Sequence, residues 1–409
     1  MNQILVALTL FSSIGFFNYH DMISQPVAKA AMYVCILVSM AMGITERNSS
    51  LKDVYYPRGL YFAVLACIVF SMLMADLFNG QSLGVTVKIT MMILLPYTYF
   101  YALMRQGVAA SKIIRLFICY ILCSTVVFFC NLYTYPNNIF GEPLGEDFTR
   151  GIIRIPLVGG EIFVLLLFYG IDRWNDFRQK KWWLIIALCC VMIVLSVTRQ
   201  LIGISFFIGL IMLLRHYSIL HKIVIVAVVT AAVAVVVPRL PMYKSMMELS
   251  EMQAERHSDS KEDIRLQAWR FYTYESWDNP VEMIFGHGVY STAGDSEWGN
   301  RMEAETDVNK CLLYDVGWAG FIYYFGLLGA GFLMALFIVT VRQCFRYRSK
   351  EYLGYWFIFL ILTSVASAPI LFFNQVIVVS LCLYLAYCPE DDVHYDSEFY
   401  YDPSGALNV

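Results

Sequence analysis

Arginines in apolar surroundings are the residues of this 409-residue chain that most directly suggest chemistry. Arg199 stands in Leu195-Ser-Val-Thr-Arg-Gln-Leu-Ile202, between two apolar runs and without a proper loop. An arginine near mid-helix costs about 2.5–3.5 kcal/mol on insertion scales, and charges at such depth usually face a cavity or a partner. Two readings follow: an anion ligand, or a hairpin-turn arginine snorkelling to the headgroups. Arg150 and Arg154 lie in Thr149-Arg-Gly-Ile-Ile-Arg-Ile-Pro156. They share a face if the stretch is helical, although Pro156 disturbs that geometry; headgroup anchoring is the plainer reading. Glu161, in Val158-Gly-Gly-Glu-Ile-Phe163, is a carboxylate in an apolar run. It is a functional candidate by its depth, or a structural partner for one of these arginines. Guanidinium forks grip phosphate oxygens in bidentate fashion and stay charged at any relevant pH. An arginine cluster at a membrane interface therefore suits a diphosphate-bearing lipid.

A second set lies in the polar stretch 239–311. Arg265, Trp269 and Tyr272 fall at i, i+4 and i+7, the spacing of one helix face. Rings beside arginines suit sugars, whose CH-rich faces pack on aromatics while their hydroxyls pair with Asp, Asn or Glu. Asp295, Glu297, Glu303, Glu305, Asp307 and Asp315 supply carboxylates. Each is a candidate general base, or simply a solvated surface acid. His287 sits between Gly286 and Gly288 and is read as substrate-binding or structural. No Asp-x-Asp or histidine-rich pattern offers a metal site, and none of the 11 cysteines has zinc-ligand spacing with histidine. No metal or cofactor is expected.

The elements that must position these residues are apolar helices. The chain is 59% hydrophobic and 15% charged, against about 25% charged in soluble domains. A spanning helix needs about 20 mostly apolar residues. Runs of that kind occur near 2–19, 28–45, 59–79, 84–104, 113–133, 153–170, 182–198, 200–214, 222–238, 312–341, 353–370 and 372–388. The expected architecture is an all-α, polytopic integral membrane protein of about 12 transmembrane helices. Residues 1–238 hold the first nine, 239–311 a large loop, 312–388 the last three, and 389–409 an acidic tail. The first run, without Lys or Arg ahead of it, reads as a retained span. The tenth is long enough to include an interfacial turn.

Charge sets the orientation. The loops Glu46–Arg58, Arg105–Arg115, Asp172–Lys181, Arg215–Lys222 and Arg342–Lys350 carry 16 Lys and Arg, against 5 in the short segments of the opposite side. Long loops do not vote in this rule. Both termini are expected in the cytoplasm and the 239–311 loop outside. Backbone groups of a polar segment that size must be satisfied outside the bilayer core, and loops of that length are usually functional. Within it, Ser260-Lys-Glu-Asp263 resembles a capping box and opens a helix that ends before Asp278-Asn279-Pro280. A glycine-rich turn, Ile284-Phe-Gly-His-Gly-Val-Tyr290, follows. The net charge of -3 gives no pointer to nucleic acid.

Three local patterns resemble the bacterial O-antigen polymerase (Wzy-type) and O-antigen ligase superfamily. Ser196-Val-Thr-Arg199 resembles its Ser-x-Ser/Thr-Arg at the outer end of a span. Arg265-x-x-x-Trp269, then Asn279-Pro280 and Gly286-His-Gly288, resembles its loop signature. Thr306-Asp-x-Asn309 through Gly317-Trp-Ala-Gly320 resembles the segment leading into the next span. Ligases typically have a His-Asn or His-Ser pair about ten residues before that Gly-x-x-Gly; this chain has Thr306-Asp307 there, and polymerases often have an aspartate. The resemblance implies a GT-C-like, metal-independent glycosyltransferase with a periplasmic active site. Its expected partners are undecaprenyl-diphosphate-linked oligosaccharides and membrane lipids, with a chain-length regulator a further one. It implies Arg199 and Arg265 on the diphosphate with Arg150 or Arg154 assisting, Asp307 on the acceptor hydroxyl, and Glu161, Trp269, Tyr272 and His287 around the substrate. A ligase acting on lipid A core, a lipid-linked oligosaccharide transporter and a non-catalytic scaffold are the alternatives.

Overall fold

The computed structural model describes residues 2–13, 25–45, 56–135, 157–215 apart from Val197, four residues between 217 and 224, 264–292, 296–309 and 311–389. Arg150, Arg154, most of the ninth apolar run, Ser260–Asp263 and the acidic tail lie outside these residues. Among the described residues all regular structure is helical. The helices are α1 (Asn2–Ser13), α2 (Gln25–Thr45), α3 (Arg58–Leu77), α4 (Leu83–Gln106), α5 (Ala110–Thr134), α6 (Gly160–Phe177), α7 (Lys180–Leu195) and α8 (Arg199–Leu214). They continue with α9 (Ile264–Arg270), α10 (Pro280–Phe285), α11 (Glu297–Asn309), α12 (Gly317–Arg346), α13 (Glu351–Thr363) and α14 (Phe373–Tyr387).

Four of them, α3, α4, α5 and α12, are long and apolar enough to cross a membrane. The outward faces of α3 and α5 are apolar along their middle. Phe62, Val69 and Leu73 of α3 and Leu122, Val126 and Phe129 of α5 are exposed. So continuous an apolar exterior is a liability in water and suits lipid. The centre is α14. Every residue from Val376 to Tyr387 is buried, as expected of a helix apolar on all sides. Its Ser380 hydroxyl donates to the carbonyl of Pro96 in α4 (2.7 Å), and Tyr97 of α4 donates to Ile370 O (2.8 Å).

The polar connections segregate to the two ends of the bundle. At one end Arg105 donates to Gly43 O (3.2 Å), Arg173 to Ser349 O (3.1 Å) and Arg348 to Asp176 (2.8 Å). Arg215 pairs there with Glu351, and Lys350 reaches the carbonyls of Ala386 and Cys388. These are the Lys- and Arg-rich connections of the sequence, gathered on one side. The large loop packs at the other end, where Gln81, between α3 and α4, bonds Val289 O (2.9 Å) and Ser291 N (2.8 Å).

The loop is locked to the bundle backbone against backbone. Gly326 breaks α12 with φ 73° and ψ 174°, a conformation only glycine adopts cheaply. The break interrupts the helical ladder, and the carbonyls of Tyr323 and Tyr324 accept instead from His287 N (2.9 Å) and Gly288 N (3.0 Å). The loop glycines are what permit the approach. A Cβ at Gly326 would meet Ile284 O at 2.1 Å, and one at Gly286 would meet Tyr324 O at 2.3 Å. Gly326→Ala is expected to destabilise the protein by at least about 2 kcal/mol, from left-handed strain plus a backbone clash. Gly331→Ala, in the same helix with open space around it, should be neutral or slightly stabilising. Thermal unfolding in detergent, followed by tryptophan fluorescence, compares the two; equal midpoints would contradict this account of the break.

Candidate functional site

The residues with chemical promise meet at the loop end around the connection between α13 and α14. This segment, 364–372, is clamped from several sides. Gly317 N and Trp318 N, at the start of α12, donate to Ser367 O and Ser364 O (both 2.9 Å). Gln200 Nε2 donates to Thr363 O (2.6 Å), and Trp269 Nε1 to Val365 O (2.8 Å). Just beyond it, Gln375 Nε2 donates to Glu161 Oε1 (2.8 Å), while Trp356 Nε1 holds the Glu161 carbonyl (3.0 Å). Lys29 of α2 stands 5.1 Å from the Phe373 ring centroid.

Arg199 is the first residue of α8, at the corner where α7 turns back. It is exposed, and its neighbour Gln200 is the residue bonded to the connection. The N-cap residue Thr198 makes no side-chain cap; its hydroxyl donates backwards to Ser196 O (3.2 Å). The first-turn N–H groups and the positive end of the helix dipole therefore coincide with a guanidinium. A cation at a helix N-terminus opposes the dipole, whereas an anion there is stabilised by dipole, N–H groups and arginine together. Arg265 is exposed on α9, one turn before Trp269. Trp269 thus bonds the connection, Gln200 beside Arg199 bonds the end of α13, Glu161 is held from α13 and α14, and Arg265 stands one turn from Trp269. Gln200 and Gln375 were not singled out in the sequence.

Tyr272 and His287 are corrections to the sequence reading: both are interior packing residues. Ile264–Arg270 is α-helical but Phe271–Glu275 is a π turn. While Arg265 is exposed, Tyr272 is buried together with Ala268 and Phe271. Its hydroxyl donates to Cys311 O (2.8 Å) and its ring packs edge-on against Tyr323. His287 is 3% exposed and stacks on Tyr323 at 4.4 Å. Its Nε2–H donates to Ser276 O (3.0 Å), which fixes the neutral tautomer. Burial pushes its pKa down to about 4. The 3.9 Å approach to Glu282 is therefore not an ion pair. Glu282 is held by Asn279 Nδ2 (2.7 Å) and, more loosely, by Asn79 Nδ2 (3.4 Å), and its own pKa is raised by burial.

A stability prediction follows from His287. A base whose pKa is lowered on folding contributes stability that is complete above its unfolded value of about 6.5. That contribution is lost as pH falls toward 4. Between pH 7 and 5 the cost is about 2 kcal/mol. His287→Gln keeps a donor for Ser276 O and cannot protonate. The fall in unfolding midpoint between pH 7 and 5 should therefore be clearly smaller in the variant. An unchanged pH slope would show that His287 is not buried neutral.

Asp307 lies in α11, four residues past Glu303. Beside α11 opens a cleft of about 350 Å³ between α4, residues 289–292, α11 and the end of the α13–α14 connection. Ile89, Met92 and Ile93 of α4 line it together with Tyr290, Glu303 and Thr306 of the loop and Tyr324 of α12. Among the described residues lining it Glu303 is the one that is charged, and none of Glu161, Arg199, Arg265 and Trp269 lines it. Among the described residues no group of His, Cys, Asp and Glu could hold a metal ion. No protein-family model matches the chain, and comparison with characterised proteins finds no significant match.

Proposed function

We propose that the chain is a surface-polysaccharide polymerase of the O-antigen type. It joins undecaprenyl-diphosphate-linked repeat units at the periplasmic face of the bacterial inner membrane. In this reading about twelve helices span the bilayer in a GT-C-like arrangement, with both termini cytoplasmic and the large loop periplasmic. The growing chain on one lipid carrier is transferred to the nonreducing end of a new lipid-linked unit. The acceptor hydroxyl oxygen attacks the anomeric carbon, the bond to the diphosphate breaks, and the lipid diphosphate leaves with the electron pair.

The observation that carries this reading is the start of α8, where Thr198 makes no side-chain cap and Arg199 holds the first position, beside the connection that also takes Trp269, one turn from Arg265. Fixed cations and N–H dipoles aimed at a leaving diphosphate contribute several kcal/mol in a partly dry site. Arg199 and Arg265 take the diphosphate, with Arg150 or Arg154 assisting, and Asp307 orients the acceptor hydroxyl. Purified protein supplied with lipid-linked repeat units should build a ladder of polymer lengths, and should do so in EDTA. Glycan transferred to lipid A core would make it a ligase, movement of the lipid without new bonds a transporter, and no product in any assay would remove the enzymatic reading.

A further inference from the structure

We propose that the cleft between α4 and α11 is the acceptor-sugar subsite, and that Glu303 takes the proton of the attacking hydroxyl. This rests on the polymerase reading and adds the location of the second substrate. The lining is mixed. Ile89, Met92 and Ile93 belong to α4, a helix of spanning length. They start six residues past its first, or about 9 Å into it. Tyr290, Glu303 and Thr306 of the loop and Tyr324 of α12 add hydroxyls and one carboxylate, and Leu371 and Phe372 extend the apolar part. A sugar matches such a mixed lining, because its CH-rich faces pack on apolar side chains and rings while its hydroxyls pair with the hydroxyls and the carboxylate. The volume of about 350 Å³ lies in the range of small-molecule sites.

Charge decides which part of the substrate sits here. With Glu303 the one charged group among the described lining residues, a diphosphate would meet repulsion, whereas sugar hydroxyls donate to a carboxylate. The rings of Tyr290 and Tyr324, 5.9 Å apart, offer faces for pyranose CH groups. The diphosphate belongs instead with Arg199. The two places are joined by one connection: Gln200, next to Arg199, bonds Thr363 at its start, and Leu371 and Phe372 at its end line the cleft. In the transfer, Glu303 accepts the hydroxyl proton as the oxygen bonds to the anomeric carbon. The proton then passes to water, and the departing diphosphate is protonated from solvent. Asp307, one helical turn along α11, keeps the orienting role.

The test uses full-length protein in lipid nanodiscs, with wild type, Glu303→Gln, Met92→Trp and Glu297→Gln compared for polymer formation. In parallel, a lipid-diphosphate repeat unit with a diazirine on its nonreducing sugar is photolysed and the labelled peptides are identified. Glu303→Gln should lower kcat about 100-fold or more with little change in acceptor KM. Met92→Trp, which fills the apolar wall, should raise acceptor KM with kcat largely kept. Glu297→Gln, on the same helix but outside the cleft, should match wild type. The label should fall on α4 and α11. Wild-type kinetics in both cleft variants, or label confined to other helices, overturns the proposal. If wild type makes no polymer yet the label maps to α4 and α11, the cleft assignment stands and the polymerase reading falls; if neither appears, both fall.

Discussion

Arg199→Lys should lose roughly ten- to more than a hundredfold in polymerisation rate, and Arg199→Ala should be nearly inactive, with expression and thermal stability unchanged. The two side chains carry the same charge and both reach headgroups. They differ in geometry: the planar guanidinium presents paired donors to a phosphate, and an ammonium does not. One lost charge-assisted contact costs about 1.5–3 kcal/mol, which is that span of rates. A purely anchoring arginine would tolerate lysine. The position makes folding defects a poor explanation, because Arg199 is exposed at the first residue of α8. Arg265→Ala should behave similarly, since Arg265 stands one turn from the Trp269 clamp. Rates on purified protein, normalised to folded protein by size exclusion, give the comparison. Full activity in Arg199→Ala would take Arg199 out of the site.

The parts of this arrangement that were legible in the sequence are those set by charge and composition. The Lys- and Arg-rich connections were grouped by loop position alone. The structure gathers their described members on one end, as in the Arg348–Asp176 and Arg215–Glu351 pairs. The glycine-rich turn at 284–290 was also visible. Its partner, the break at Gly326, was not, since one glycine in an apolar run looks like any other until a backbone is docked on it. The spacing of Arg265, Trp269 and Tyr272 did not carry a shared environment: Tyr272 is buried with Ala268 and Phe271 while Arg265 is exposed, and spacing alone does not tell which edge of a helix face packs. Gln200 and Gln375 were missed for a different reason. Their partners, Thr363 and Glu161, lie 163 and 214 residues away, a separation no local pattern reports. The Asn374-Gln375 pair opening an otherwise apolar run was the available signal, because polar side chains there need a partner.

A phosphatase fused at Ser291 should be active, and fusions at Lys180 and Arg348 inactive, an all-or-none difference. The structure sharpens what this tests. Lys180 follows α6 by a two-residue turn, and Asp176 at the end of α6 pairs with Arg348. These two positions therefore share an end of the bundle and must report the same side. Ser291 bonds to Gln81 beyond α3, at the opposite end. Fusions at Lys180 and Arg348 that disagree would contradict the packing itself. Agreement between them with an inactive Ser291 fusion would keep the fold and invert it in the membrane. The charge bias of 16 Lys and Arg against 5 favours the stated orientation, because cationic short loops are retained in the cytoplasm. Inversion would place Arg199, Arg265 and the α4–α11 cleft on the cytoplasmic face. Repeat units that have already been moved outward could not reach a site there, so that result would end the polymerase reading.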